Sequence, residues 1–178
     1  MLYTFNGIDG CEPYGTLAAA RAGVLFGATR FGPTEAGTVF ALRPPTSPGG
    51  AWTEAVLYSF TGHSDRGEPL GGVVIGSGGV LYGTTSTGGA SGAGTVFSLT
   101  PPASPGGAWT QAVLHNFTCG GDGCFPSGVV IGSGGVLYGV TAAGGGGTAC
   151  QRNCGTVFSL IPPASPGGAW TEAVLSRD

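Results

Sequence analysis

At 178 residues the chain is long enough to bury a core, and it carries a net charge of −3 with only 8% charged residues; its six basic residues are all arginine. It has no basic run and no acidic tail, so nothing in it marks a nucleic-acid or anionic-membrane surface. Its 38 glycines and 13 prolines would suit a disordered chain, but a hydrophobic fraction of 41% gathered in short regular runs excludes that, and their density excludes an α-helical repeat.

Residues 2–5 (Leu-Tyr-Thr-Phe) match 57–60 (Leu-Tyr-Ser-Phe) and 114–117 (Leu-His-Asn-Phe), so the chain opens on the end of a repeat. Met1 runs straight into this strand-like segment, so an exported parent protein is expected to have lost its leader. No stretch approaches 18 consecutive apolar residues, and no membrane span is expected. Turn-rich segments come next. Each has an aspartate, Asp9, Asp65 or Asp122, standing four residues before a proline. Short apolar runs follow at 71–75 and 128–131, with a weaker one at 16–20. Their length, β-branching and Pro/Gly borders predict a first strand buried on both faces.

Gly76-Ser77-Gly78-Gly79 and Gly132-Ser133-Gly134-Gly135 predict tight hairpin turns, with Arg21-Ala22-Gly23 in their place in the first copy. The second strand is Val-Leu-aromatic-Gly at 24–27, 80–83 and 136–139; its fixed glycine predicts a bulge or a close approach from a neighbouring sheet. A Gly-rich loop of variable length follows and carries Cys150 and Cys154 in the third copy. The third strand, Gly-Thr-Val-Phe, recurs at 37–40, 94–97 and 155–158 and ends at a Pro-Pro pair, which cannot donate ladder hydrogen bonds. A Ser-Pro-Gly-Gly turn leads into the fourth strand. There Trp109, Val113 and Phe117 are expected on one face, with Ala112 and Leu114 on the other.

The stretch Ser-Pro-Gly-Gly-Ala-Trp-Thr-Glu/Gln-Ala-Val-Leu begins at Ser47, Ser104 and Ser165, offsets of 57 and 61 residues. Four short strands joined by hairpins at that period predict an all-β fold, a β-propeller-type array of four-stranded antiparallel blades with three blades present. The units are 1–12 (end of a preceding repeat and a loop), 13–60 (first blade), 61–117 (second) and 118–178 (third, its last strand truncated). Propellers close with about four to eight blades. The chain is therefore expected to be a segment of a longer array, or to close its ring with a second copy. The array is the preferred expectation, because in a two-copy ring residues 2–5 and the last strand would compete for one outer position.

The combination of Leu57-Tyr58-Ser59-Phe60, Pro69, Gly79-Val80-Leu81-Tyr82-Gly83-Thr84-Thr85, Gly88-Gly89 and Gly94-Thr95-Val96-Phe97-Ser98-Leu99 resembles the Gloeo/Verruco-type tandem repeat over essentially the whole chain. The resemblance implies β-propeller-like repeats in an exported or surface-anchored bacterial protein, and it brings no catalytic residues and no cofactor. The chain departs from the pattern at Phe26-Gly27-Ala28-Thr29 and at Leu175-Ser176-Arg177-Asp178, where Tyr and Phe are expected.

Cys119, Cys124, Cys150 and Cys154 sit on two loops that emerge at one end of the third blade. Disulfides, a four-thiolate zinc site or free thiols are all open from the residues. The exported context favours disulfides, with Cys119–Cys124 and Cys150–Cys154 as the preferred pairing. Asp9, Asp65 and Asp122 form either a ligand-facing rim or caps for their own turns. Trp52, Trp109 and Trp170 either stack on carbohydrate or pack blade against blade. No P-loop, nucleophile elbow, HExxH or dinucleotide fingerprint is present. The expected function is a structural or partner-binding repeat module outside the cytoplasm, without catalysis, metal or cofactor. The alternative is a propeller-type glycosidase or lyase, or a carbohydrate-binding accessory segment.

Overall fold

The computed structural model describes residues 1–62, 67–147, 154–165 and 167–176. Among them three four-stranded antiparallel sheets account for the chain, each with its strands side by side in sequence order. The first sheet contains β1 (Cys11–Ala19), β2 (Leu25–Phe31), β3 (Thr38–Arg43) and β4 (Thr53–Ser59). The second contains β5 (Val73–Ile75), β6 (Leu81–Thr85), β7 (Thr95–Thr100) and β8 (Thr110–Asn116). The third contains β9 (Cys124–Ile131), β10 (Leu137–Ala143), β11 (Thr156–Ile161) and β12 (Thr171–Ser176). We call each sheet a blade. The innermost strands neighbour one another, with a parallel bridge between Thr16 and Gly72.

The turn chemistry explains the hairpins. In the Ser-Pro-Gly-Gly turn the amide of Gly50 donates to Ser47 O at 3.1 Å, and Gly49 takes φ +79°. Proline second and a positive-φ glycine third are what a type II turn requires. The same bond recurs from Gly107 to Ser104 and from Gly168 to Ser165. At the first hairpin Gly78 and Gly134 sit at φ +66° and +67°, whereas the first blade places Ala22 at +57°. Alanine tolerates that region poorly.

The third strand of each blade is the most buried; Val39, Phe40, Val96, Phe97, Phe158 and Leu160 are essentially inaccessible. The first strand differs from expectation. β1 is exposed over most of its length, and β5 is only partly buried. It is the inner edge of its sheet, so nothing of its own blade covers its outer side. The fixed glycine stands at an irregularity in the pairing with the first strand, as expected, opposite the shift between Tyr14 and Ala18 in the first blade and beside the one at Gly139 in the third; Gly27 and Gly83 also face Phe40 and Phe97 on the adjacent strand of the same blade. A Cβ there would meet the phenyl Cζ at 2.5 and 2.6 Å. The glycine therefore clears space for its own blade's phenylalanine, not for a neighbouring sheet.

The fourth strand departs from simple alternation. Val96 pairs with His115 while Phe97 pairs with Val113, which leaves Leu114 as an extra, bulged residue. Past the bulge the faces exchange. Leu114 packs into the core between the second and third blades, and Val113 is exposed. The same shift occurs at Leu57.

Blades join through interlocked aromatics. Phe60, just past β4, lies edge-on to Phe97 with centroids 5.2 Å apart, and Phe117 meets Phe158 at 5.1 Å. Phe5 meets Phe40 in the same way at 4.9 Å, so residues 2–5 stand where the tail of a preceding fourth strand would. A second lock uses glycine: a Cβ on Gly94 would meet Pro126 Cδ at 2.5 Å, so the proline ending each entry loop presses on a bare backbone. Gly37 receives Pro69 in the same manner.

Candidate functional site

Strand register separates the aspartates from the tryptophans. Each entry loop leads into the end of the blade where Thr29, Thr85 and Thr141 lie, while each tryptophan precedes the fourth strand at the opposite end. The two rows do not form one site.

At the loop end, Asp9 accepts from Tyr3 Oη at 2.5 Å and from the Asn6 amide at 2.9 Å. Burial opposes its charge, but these hydrogen bonds outweigh it and hold the carboxyl below its ordinary pKa. The Tyr3 hydroxyl is correspondingly pushed up to about 12, first by its bond to Asp9. Asp122 accepts from the Thr118 amide at 2.8 Å and from Thr118 Oγ1 at 2.6 Å, and it lies 3.6 Å from His115 Nε2. Burial lowers the His115 pKa, opposed by Asp122. Tyr3 and His115 are matching positions of the fourth-strand motif; both aspartates cap their own turns, and Asp9 also accepts from the tail of the strand before it, whereas His115 Nε2 is buried near Asp122 without a hydrogen-bond partner. Asp65 lies outside the described residues.

The Sγ atoms of Cys119 and Cys124 stand at bonding distance, with Cα atoms 4.5 Å apart. The bridge closes the entry loop of the third blade, and Gly145 N donates to Gly120 O at 2.8 Å, so the two cysteine-bearing loops touch. Cys154 is half-buried on the second loop; Cys150 lies outside the described residues. Cys11 is free. Among the described residues no cluster of His, Cys, Asp or Glu is arranged to hold a metal ion.

At the other end Trp109 packs edge-on against Phe26 of the preceding blade, centroids 6.3 Å apart, and Trp170 against Tyr82 at 5.9 Å. Both rings are half-buried and belong to the cores between blades. Trp52 holds the equivalent place on the first blade, also half-buried. Two residues on from Trp52, Glu54 buries Oε1 without a hydrogen-bond partner. Desolvation, helped by the charge of Asp9, pushes its carboxyl up to about 7. Gln111 replaces it in the second blade and avoids that charge.

A groove of about 500 Å³ runs from Gly15 and Gly71 along the third blade to Val130, Tyr138 and Val157. Its polar groups are backbone and the hydroxyls of Thr16, Ser127 and Tyr138; it holds no carboxylate or imidazole.

The sequence profile of the Gloeobacter/Verrucomicrobia repeat matches residues 46–174. The chain belongs to the Gloeobacter/Verrucomicrobia repeat family. Comparison with curated proteins returned no match. Within this chain the three repeats share a device that motif reading passes over. Thr29 and Thr38 bring their hydroxyls within 2.8 Å, and Thr85–Thr95 and Thr141–Thr156 do so at 2.9 Å, all buried. Thr38 and Thr156 also reach the carbonyl oxygens of Asp9 and Asp122, at 3.3 and 3.2 Å. The pair ties the second strand, the third strand and the entry loop together. Its signal was present in the sequence, as threonine at both positions of every repeat. A short apolar strand with a threonine at its start reads as ordinary β-propensity, which hides the pairing. Among the described residues no helix is long and apolar enough to cross a membrane.

Proposed function

We propose that this chain is a structural repeat module of an exported bacterial protein, a scaffold whose recurrent side chains hold blade to blade. The observation that carries the reading is the position of Trp109 and Trp170, each seated on an aromatic of the blade before it. A tryptophan displayed for a sugar offers its face to solvent, whereas these rings supply packing between sheets. The aspartates support the same reading, because Asp9 and Asp122 are engaged by their own loops. Export is supported by the Cys119–Cys124 bridge, since disulfides persist in oxidising compartments.

Trp109→Ala tests the role. It is expected to lower the midpoint of thermal unfolding while leaving intrinsic fluorescence unresponsive to added oligosaccharides in both proteins. Saturable quenching by an oligosaccharide that disappears in Trp109→Ala would overturn the scaffold reading in favour of a carbohydrate-binding one. For export, protein isolated from its native cells is expected to gain mass on reduction; unchanged mass would remove that part.

A further inference from the structure

We infer that the cleft between the first and second blades binds a small amphipathic anion, its carboxylate or phosphate head held by Arg21 and Arg43 and its apolar body lying on Phe26 and Ile75. The inference goes beyond the scaffold reading and does not depend on it. Both walls of the cleft belong to blades that meet within the chain.

Strand register brings the two arginines to one end of the first blade. Leu25 pairs with Leu42, and the same register continued by one residue places Val24 opposite Arg43. The Val24 amide closes the 21–24 turn on Arg21 O, so Arg21 lies at that end as well. A Cβ on Gly23 would meet Pro44 Cγ at 3.4 Å, which seats the turn beside the residue that follows Arg43. Arg21, Val24, Phe26 and Arg43 line one side of a cavity of about 550 Å³, and Ile75 and Gly79 of the second blade line the other. Its lining holds no carboxylate or imidazole. Arg43 also borders a second hollow, of about 910 Å³, walled by β4 and the 101–107 turn, but Arg21 has no part in that one. The two positive charges therefore share the first.

The fold does not require either arginine. The other blades build the same turn on Ser77 and Ser133, whose carbonyls accept from the Val80 and Val136 amides at 3.4 Å each. Their third strands end on Thr100 and Ile161, where the first blade has Arg43. Arg30 is paired with Glu12 and Glu68, whereas Arg21 and Arg43 have no ion-pair partner among the described residues. In a chain of net charge −3 with six basic residues, two of them stand unpaired at one cavity. The second junction carries Ser77, Tyr82 and Thr100 in the places of Arg21, Phe26 and Arg43, so the arrangement is not a by-product of the repeat. Charge decides the occupant. A guanidinium offers a planar fork of donors that fits a carboxylate or a phosphate. The half-buried side chains of Val24, Phe26 and Ile75 lie beside it and suit an apolar body. A cation would meet like charge there and no acid.

The test is titration calorimetry on the 178-residue chain with octanoate and with octyl phosphate. Saturable binding of at least one of them is expected, weaker at high salt, and the tighter of the two names the head group. Octylammonium, which has the same tail and the opposite charge, is expected to show no saturable binding. Arg21→Ser and Arg43→Thr install the residues that the second blade already uses. Each is expected to weaken binding about tenfold, the loss of a hydrogen bond to a charged group, and to leave the urea unfolding midpoint unchanged. Absence of saturable binding by both anions would overturn the site, as would equal binding of octylammonium. So would an affinity unchanged when both arginines are replaced, because the anion would then be held elsewhere. A loss of affinity that comes with a lower urea midpoint would make the arginines structural and overturn it too. The oligosaccharide titration of Trp109→Ala stands apart from all of these, because neither probe is a sugar.

Discussion

Val96 and Val157 open the same Val-Phe-Ser-Leu strand in consecutive blades, yet one is 0% exposed and the other 41%. Leu114 and Leu175 differ in the same way: one is packed in a core between blades, the other is 55% exposed. Identical local sequence builds identical strands, and the presence of a neighbour alone decides whether those strands are interior. The second blade is a core element on both flanks. The third is a core element on one.

The comparison is broken most strongly at the junction itself. Phe97→Ala removes a ring that is 0% exposed and locked under Phe60, and it is expected to lower unfolding free energy by about 3–5 kcal/mol in urea titrations. Val157→Ala on the bare flank is expected to change it by less than about 0.5 kcal/mol under conditions where the chain is monomeric. A loss at Val157 as large as that at Phe97 would remove the distinction between the flanks.

A smaller effect separates the entry loops of the third and first blades. Replacing Cys119 and Cys124 together by serine is expected to destabilise the chain by about 2 kcal/mol, as a short closed loop implies. Cys11→Ser in the first loop, where the cysteine is unbridged, is expected to leave unfolding unchanged.

The pH dependence sharpens the contrast between Glu54 and Gln111. The folded Glu54 carboxyl titrates near 7, above the 4.5 of an ordinary glutamate, so between those values the folded state holds a proton that the unfolded state has released. Its contribution to stability is therefore full at low pH and falls as pH rises through about 4.5–7. His115 acts in the opposite sense. Its folded pKa lies below 6.5, so its contribution is present above 6.5 and is lost as pH falls. Glu54→Gln, the side chain that the second blade already uses, is expected to remove the downward part of the unfolding profile between pH 5 and about 7 and leave the histidine part. An unchanged profile would mean that Glu54 is charged and solvated in the folded protein.

The smallest expected effect is at the rim. Arg30 Nε donates to Glu68 Oε2 at 2.9 Å across the first junction, but the two side chains are 39% and 29% exposed. Arg30→Ala is expected to cost about 0.2–1 kcal/mol and less at high salt, measured by urea titration at two ionic strengths.

Much of the architecture was legible because it is local. Glycine at a positive-φ turn position, proline at a strand end and the third-strand run each act within a few residues, and three copies repeat the message. The candidate site was legible only as residue types. Asp9 and Asp122 were visible as recurrent, but their neighbours Tyr3 and His115 belong to the preceding fourth strand. The bulge at Leu114 was hidden because one extra residue in a strand leaves no mark on composition; it exchanges Val113 for Leu114 through pairing with β7 alone.

By itself the sequence determined the strands, their order, the turns between them and the period, because hydrogen-bonded hairpins are decided by neighbours along the chain. The tertiary structure decided which flank is interior, that Trp109 and Trp170 belong to junctions, and that the second-strand glycine makes room for a phenylalanine of its own blade. Those outcomes depend on which surfaces meet, and apolar burial takes its value from the partner surface as much as from the residue.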